Sequence, residues 1–248
     1  MTDRTPPHIS PSESESSVSL RIVAHIHTDF PNKFGIPRQS GLADTPGTVI
    51  FLPAYRNPEA LRGMEDYSHL WLLWHFSEAQ REGWSPTVRP PRLGGNRRMG
   101  VFATRSPFRP SAIGLSSVRL TGISWNTPQG PLLHILGADL MDGTPILDIK
   151  PYLAFTDSHP EAKGGFADLV REDKLIVEVR EDQLALLPPD RREALLQILR
   201  GDPRPSYQKD PARIYGFSFA GKEIRFRVAQ EVLTVLDISP AHFPDSDG

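Results

Sequence analysis

The chain has 248 residues, 38% of them hydrophobic and 23% charged, which suffices for a buried core in one large domain or two modest ones. It holds no cysteine, which excludes a disulfide framework, a thiolate metal site and a cysteine nucleophile. No stretch reaches the roughly 18 apolar residues of a membrane helix. The N-terminus carries no basic-then-apolar secretory segment either, so a cytoplasmic protein without a membrane partner is expected.

Residues 1–17 are rich in Ser, Pro and Glu and predict a disordered tail. From Val18 to Ile26 apolar and polar residues alternate, the period of a half-buried strand, and a second strand fits Thr48 to Leu52. Asn57-Pro58-Glu59 opens a short helix, with Asn as cap and Pro in the first turn. The run Tyr67 to Phe76 (YSHLWLLWHF) reads best as a buried strand, although its length also allows a helix, and Trp71 and Trp74 in it read as packing residues. Further strands fit Met99 to Thr104, Leu115 to Ile123, Leu132 to Leu136 and Ile146 to Ile149. The 25 prolines, about twice the usual share, put turns between them. Several short strands without intervening helices predict an antiparallel barrel or sandwich over residues 18–160, and the β-barrel is favoured because its closure leaves no edges exposed.

Beyond residue 160 the pattern changes. Lys174 to Val179 reads as a strand and Pro189 to Leu199 as a helix stopped by Gly201. Ile214 to Phe219, Glu223 to Val228 and Glu231 to Ile238 follow as three more strands. The expected fold class is mainly β, the barrel being followed by a small α+β domain over 161–240 and a flexible end at 241–248.

Charge is unevenly placed. The net charge is −2, yet the 56 positions between Glu82 and Asp139 hold no acid and seven arginines, Arg89, Arg92, Arg97, Arg98, Arg105, Arg109 and Arg119. That window is +7 and the rest of the chain −9. Clustered guanidinium groups suit phosphate or carboxylate recognition. Within the window, Gly94-Gly95-Asn96 permits close backbone approach to a ligand.

The run TVRPPRLGGNRRMGVFATRSPFRP, Thr87 to Pro110, closely resembles the signature of the TrmO (TsaA-like, YaeB) tRNA methyltransferases. Pro37-Arg38-Gln39, Ser68-His69-Leu70-Trp71, DLMDGTPILDIKPYL from Asp139 to Tyr152, and DPRPSY from Asp202 to Tyr207 are also similar, so the likeness spans about residues 20–235. The resemblance implies a barrel that binds S-adenosylmethionine, a homodimer, and methylation of N6 of N6-threonylcarbamoyladenosine at position 37 of tRNA, in the anticodon loop. By matching motif it implies cofactor contacts at Pro37, Arg38, Gln39, Ser77, Glu78, Arg105, Leu115, Leu136, Gly137, Ala138 and Asp139. Substrate contacts fall to Arg92, Arg97, Arg109, Asp202, Arg204 and Tyr207, the tyrosine as a base-stacking candidate. The chain departs from the family pattern at Ser111-Ala112 and at Ser77, with the imidazole at His75 instead.

Methyl transfer from a sulfonium requires alignment and a dry pocket more than a metal or a covalent nucleophile. A carboxylate, Asp139 or Asp142, is the candidate catalytic base. A metal cluster of Asp139, Asp142, Asp148 and His134 is the less favoured reading, and no metal is expected. No Gly-rich strand-to-helix turn of the dinucleotide-binding type is present, so any nucleoside cofactor is bound by another architecture. The alternatives are a non-catalytic RNA-binding barrel and a barrel methyltransferase acting on an anionic small molecule.

Overall fold

A computed structural model of the chain describes residues 17–79, 84–90, 97–169, 174–205 and 210–241. Most of the expected N-terminal tail, the Gly94-Gly95-Asn96 turn, Arg92, Tyr207 and the segment from 242 onward lie outside the described residues. The first half of the chain forms β1 (Ala24–Thr28), β2 (Pro46–Phe51), β3 (His69–His75), β4 (Thr87–Val88), β5 (Met99–Gly100), β6 (Ile113–Ser124), β7 (Leu132–Leu136) and β8 (Pro145–Pro151). Six of these close into a barrel in the order β1-β2-β7-β6-β3-β8, and every neighbouring pair is antiparallel.

Alternation explains the interior. Ala24 and Ile26 of β1, Leu70, Leu72 and Trp74 of β3, and Leu133 and Ile135 of β7 point inward and are buried, while their neighbours face outward. The apolar run around Trp71 is therefore a strand, as its residues predict. Outside the barrel wall, Trp71 Nε1 donates to Asp157 Oδ2 at 2.9 Å. Asn57 caps a short 3-10 turn, Pro58–Leu61, by accepting from the Glu59 N–H at 3.1 Å.

Two strand expectations are corrected. The alternation from Val18 begins pairing with β2 only at Ala24, opposite Phe51. Val18 and Leu20 extend past the partner strands and are exposed. Between Met99 and Thr104 only β5 pairs, with β4. The chain then turns into a 3-10 helix, Val101–Ala103, closed by the Thr104 N–H and hydroxyl donating to the Val101 carbonyl. Arg105 thus follows a turn and does not end a strand.

Among the described residues the second half holds four helices, α1 (Ala154–Asp157), α2 (Phe166–Leu169), α3 (Glu181–Leu184) and α4 (Pro189–Arg200), of which the sequence predicts only α4. The others span a single turn each, too short to show a helical period. The second sheet is built from β9 (Ile176–Glu178), β10 (Ile214–Phe219), β11 (Lys222–Ala229) and β12 (Val232–Pro240) in the order β10-β11-β12-β9, with β9 parallel to β12 and the rest antiparallel. Ala194, Leu195, Ile198 and Leu199 of α4 are buried in its core. Among the described residues no helix is long and apolar enough to cross a membrane.

The connection from β1 to β2, residues 29–45, leaves the barrel and enters the core of the second sheet. Phe30 is fully buried there, 5.3 Å from the Phe219 ring, and Phe34 meets Phe217 edge-on at 6.4 Å. Burying one such ring contributes about 1.5–3 kcal/mol. Polar crossings flank these contacts. Arg191 Nε donates to Asp29 Oδ2 at 2.6 Å, the Asp44 N–H donates to Gln197 Oε1 at 2.5 Å, and Gln197 Nε2 returns to Asp44 Oδ2 at 3.1 Å. Burial raises the Asp29 carboxyl above its usual pKa, although Arg191 opposes the shift.

Gly35 sits at φ 90°, and a Cβ at this position would overlap the Phe217 ring. Gly35→Ala combines backbone strain with overpacking and is expected to cost about 2–4 kcal/mol. Chemical denaturation of the full-length protein measures it.

Candidate active site

At one mouth of the barrel, four stretches of chain converge, and hydrogen bonds join them. The first is the far end of the β1–β2 connection, Pro37 to Gly41. The second is the loop after β5, the third is β6, and the fourth is the exit of β7. Arg105 Nη1 donates to Gln39 Oε1. The Gly41 N–H donates to the Gly137 carbonyl at 3.0 Å, and the Ser117 N–H to Ser40 Oγ at 3.2 Å. Gly137 adopts φ 90°, and a Cβ on it would press on the Gly41 backbone at 3.3 Å, so glycine serves both the turn and the close approach.

Asp139 lies at the centre. Ser116, fully buried on β6, donates its hydroxyl to Asp139 Oδ1 at 2.6 Å and accepts from Trp74 Nε1 at 3.0 Å. An indole N–H can only donate, so Trp74 commits the Ser116 hydroxyl proton to Asp139. Burial raises the Asp139 carboxyl above its ordinary pKa. Its hydrogen bonds from Ser116, from its own N–H and from the Ser40 N–H, together with the Arg105 charge, offset this only in part.

The other cofactor candidates surround this cluster. Leu115 stands exposed on β6, Leu136 ends β7, and Ala138 is buried beside Gly137. Ser77 and Glu78 form the 3-10 turn Ser77–Ala79 after β3, and Lys33 Nζ donates to the Glu78 carbonyl at 2.9 Å, tying that turn to the β1–β2 connection. Asp142 is elsewhere. It accepts from the Thr28 N–H at 2.9 Å and lies 3.2 Å from His27 Nδ1, at the end of β1. Asp148 pairs with Lys150 at 2.9 Å, and His134 Nε2 meets Ser124 Oγ at 2.8 Å. The four groups weighed for a metal have separate partners, and no group of three or more metal-capable side chains occurs among the described residues.

Of the substrate candidates, Arg97 is exposed. Arg109 donates to the Thr104 carbonyl at 3.1 Å and lies 6.0 Å from the Phe102 ring centre. Arg119 pairs with Asp44 at 3.3 Å. Asp202 and Arg204 form a hook after α4. Asp202 takes φ 51°, and Arg204 grips its carboxylate with Nε and Nη2, each at 2.8 Å. Arg92 and Tyr207 lie outside the described residues. Ser40, Ser116 and Lys33 were not anticipated. The position of Ser116, inward between Gly114 and Val118 of an alternating strand, is the one trace of it in the sequence.

Fold and cluster together define a class: a small β-barrel joined to a second sheet, with a polar cluster built from loops at the barrel mouth and, among the described residues, no Gly-rich strand-to-helix turn. The chain belongs to the tRNA-methyltransferase O family, because the model of that family's N-terminal domain matches residues 25–158 and the model of its C-terminal domain matches residues 174–241. It is 38% identical over 234 residues to the tRNA (adenine(37)-N6)-methyltransferase of Escherichia coli (strain K12), covering 91% of this chain and 99% of that protein. A Pyrococcus abyssi protein named "Probable S-adenosyl-L-methionine-binding protein" is 36% identical over 152 residues, 61% of this chain and 77% of its own length. The crystal structure of TrmO from Pseudomonas aeruginosa superposes with a TM-score of 0.71 at 33% identity, covering 90% of this chain and all of the other.

Removing the Ser116 hydroxyl takes away a hydrogen bond that favours the carboxylate, so Ser116→Ala should raise the Asp139 pKa further. A carboxyl raised in the folded state contributes less stability as pH climbs from about 3.9 through that raised value. The window over which stability declines should therefore widen in the variant. Carboxyl-carbon NMR titration of Asp139, with melts across pH, checks both.

Proposed function

We propose that this chain transfers a methyl group from S-adenosylmethionine to N6 of N6-threonylcarbamoyladenosine at position 37 of tRNA. The observation that carries this reading is the convergence of Gln39, Ser40, Arg105, Ser116 and Asp139 at one barrel mouth. Family membership and the printed names of the E. coli and Pyrococcus relatives agree with it.

The residues fit such a donor. Asp139 offers a carboxylate to hydroxyl or ammonium groups, Arg105 a guanidinium to a carboxylate, and Leu115 an exposed apolar surface, 54% accessible, for a flat ring. When bound, S-adenosylmethionine supplies a methyl group on a positively charged sulfur. The chain's own contribution is to align and to dry the site. Gly137 and Gly41 lock the two loops together, and the Trp74–Ser116 pair fixes the orientation of Asp139.

N6 of the substrate is a weak nucleophile whose proton must leave. Asp139, with its proton affinity raised by burial, is equipped to take it. Asp142, held by Thr28 and His27 away from the cluster, is assigned a structural role. The family likeness carries a homodimer as well, which sedimentation tests.

Calorimetry with S-adenosylmethionine and nucleoside mass spectrometry of tRNA carrying N6-threonylcarbamoyladenosine test the proposal. A protein with no affinity for the donor, or one that leaves that nucleoside unmethylated, would overturn it. Arg105→Ala should weaken donor binding about tenfold or more, the loss of one charge-assisted hydrogen bond. Its melting temperature should stay near that of the parent, since Arg105 is exposed.

A further inference from the structure

Lys33 stands on a stretch of chain that is fixed on both sides. Phe30 and Phe34 are packed into the second sheet, and Asn32 Oδ1 accepts from the Phe34 N–H at 3.2 Å. Gly35 leans on the Phe217 ring. The Lys33 ammonium donates to the Glu78 carbonyl at 2.9 Å, its one hydrogen bond among the described residues. An ammonium carries three N–H donors, so two remain for a further acceptor.

The same lysine lines a cleft of about 190 Å³ between the β1–β2 connection and the hook. Pockets for drug-sized ligands begin near roughly 300 Å³, so this one suits a side group and not a whole nucleoside. Its walls divide by chemistry. Ile36, Leu42, Ile198 and Pro203 supply apolar surface, whereas Lys33, Arg38 and Arg204 are cationic. Among the described residues one acid lines the cleft, Asp202, and Arg204 already holds it at 2.8 Å. The cleft is complementary to a small group that carries a carboxylate beside a methyl. Its place fits as well. Pro37 and Arg38, donor contacts by family likeness, form part of the lining, and the Lys33 ammonium touches the Ser77–Ala79 turn. In N6-threonylcarbamoyladenosine the carboxylate carbon stands four bonds from N6, a reach of about 5 Å. With N6 at the methyl donor, the carboxylate therefore falls close beside the donor contacts, where this cleft begins.

We propose that Lys33 is a specificity-determining residue that binds the carboxylate of the threonylcarbamoyl group, while the threonyl methyl lies against the apolar wall of the cleft. The chain thereby tells the modified adenosine from one without that charge. This rests on the reading of the chain as a methyltransferase for that nucleoside. An anion bound in a partly enclosed cleft gains more from an ammonium than one in open water does, because the local dielectric is lower. The packing of Phe30 and Phe34 holds the lysine's backbone in place before the substrate arrives, so little ordering is left to be done on binding.

The test uses full-length protein and two tRNAs assembled by ligation from synthetic anticodon loops. One carries N6-threonylcarbamoyladenosine at position 37, and in the other a carboxamide replaces its carboxylate. Both reactions use the same donor, so any effect of a variant on S-adenosylmethionine binding cancels in the ratio of the two kcat/KM values. The parent protein should favour the carboxylate about tenfold or more, the worth of one charge-assisted hydrogen bond. Lys33→Met keeps the length of the side chain without its charge and should lower that ratio about tenfold, whereas Lys33→Arg should retain part of the preference. Lys33 is exposed, so both variants should fold. An unchanged ratio in Lys33→Met overturns the inference even if both rates fall, since the lysine would then serve the donor turn or the fold. Equal use of the two tRNAs by the parent overturns it as well and leaves the proposed activity standing. A parent that methylates neither tRNA overturns both. If Lys33→Met turns over too slowly to time, the ratio of the two tRNA affinities, measured by filter binding, decides by the same criterion.

Discussion

Phe30 and Phe34 belong by sequence to the first barrel connection, yet they are packed against Phe219 and Phe217 of the second sheet. This places a single stretch of chain under two sets of demands. Its beginning must complete an apolar core, and ten residues later it must present Arg38, Gln39 and Ser40 to the barrel mouth. Protein interiors are packed too tightly for such a segment to adjust one role without the other. The geometry of the mouth is in this sense a property of both domains.

Inside the mouth the controlling element is directional. A buried serine can donate or accept, and a hydroxyl free to rotate would give Asp139 no fixed partner. Trp74 removes that freedom by using its only polar atom as a donor. The cost of burying a carboxylate is met by several hydrogen bonds and one nearby arginine, and the balance still favours the protonated form more than water does. A group in that condition is common where protons are moved.

Much of this was legible beforehand, and the misses have physical causes. The strands at Leu132–Leu136 and Ile214–Phe219 and the helix at Pro189–Arg200 carry their periods openly, because each has one face in a core. Val18 to Ile22 carry a period too, but among the described residues no strand pairs with them, and alternation without a partner makes no sheet. The convergence of Gln39, Arg105 and Asp139 could not be read from spacing, since these residues lie tens of positions apart and meet only through barrel closure. Resemblance of motif located them. It did not foreshadow Ser116, whose importance comes from the two side chains on either side of it.

The barrel closes unevenly. Strands β3 and β6 share seven register pairs, from His69↔Arg119 to His75↔Ile113, whereas β1 and β8 share two, Ala24↔Ile146 and His25↔Pro145. One of those partners is a proline, which has no N–H to give. Backbone bonds from Val23 to Ile146 and from Ile26 to Thr144 stitch the same line. This seam is where the cylinder should part first under thermal agitation, and amide protons along β1 should trade with solvent sooner than those of β3. The mouth draws Ser116 and Ser117 from the broad β3–β6 ladder, but its Pro37–Gly41 and Gly137–Asp139 stretches run on from β1 and into β8, so an opening of the seam reaches the loops that gather around Asp139 from one side only.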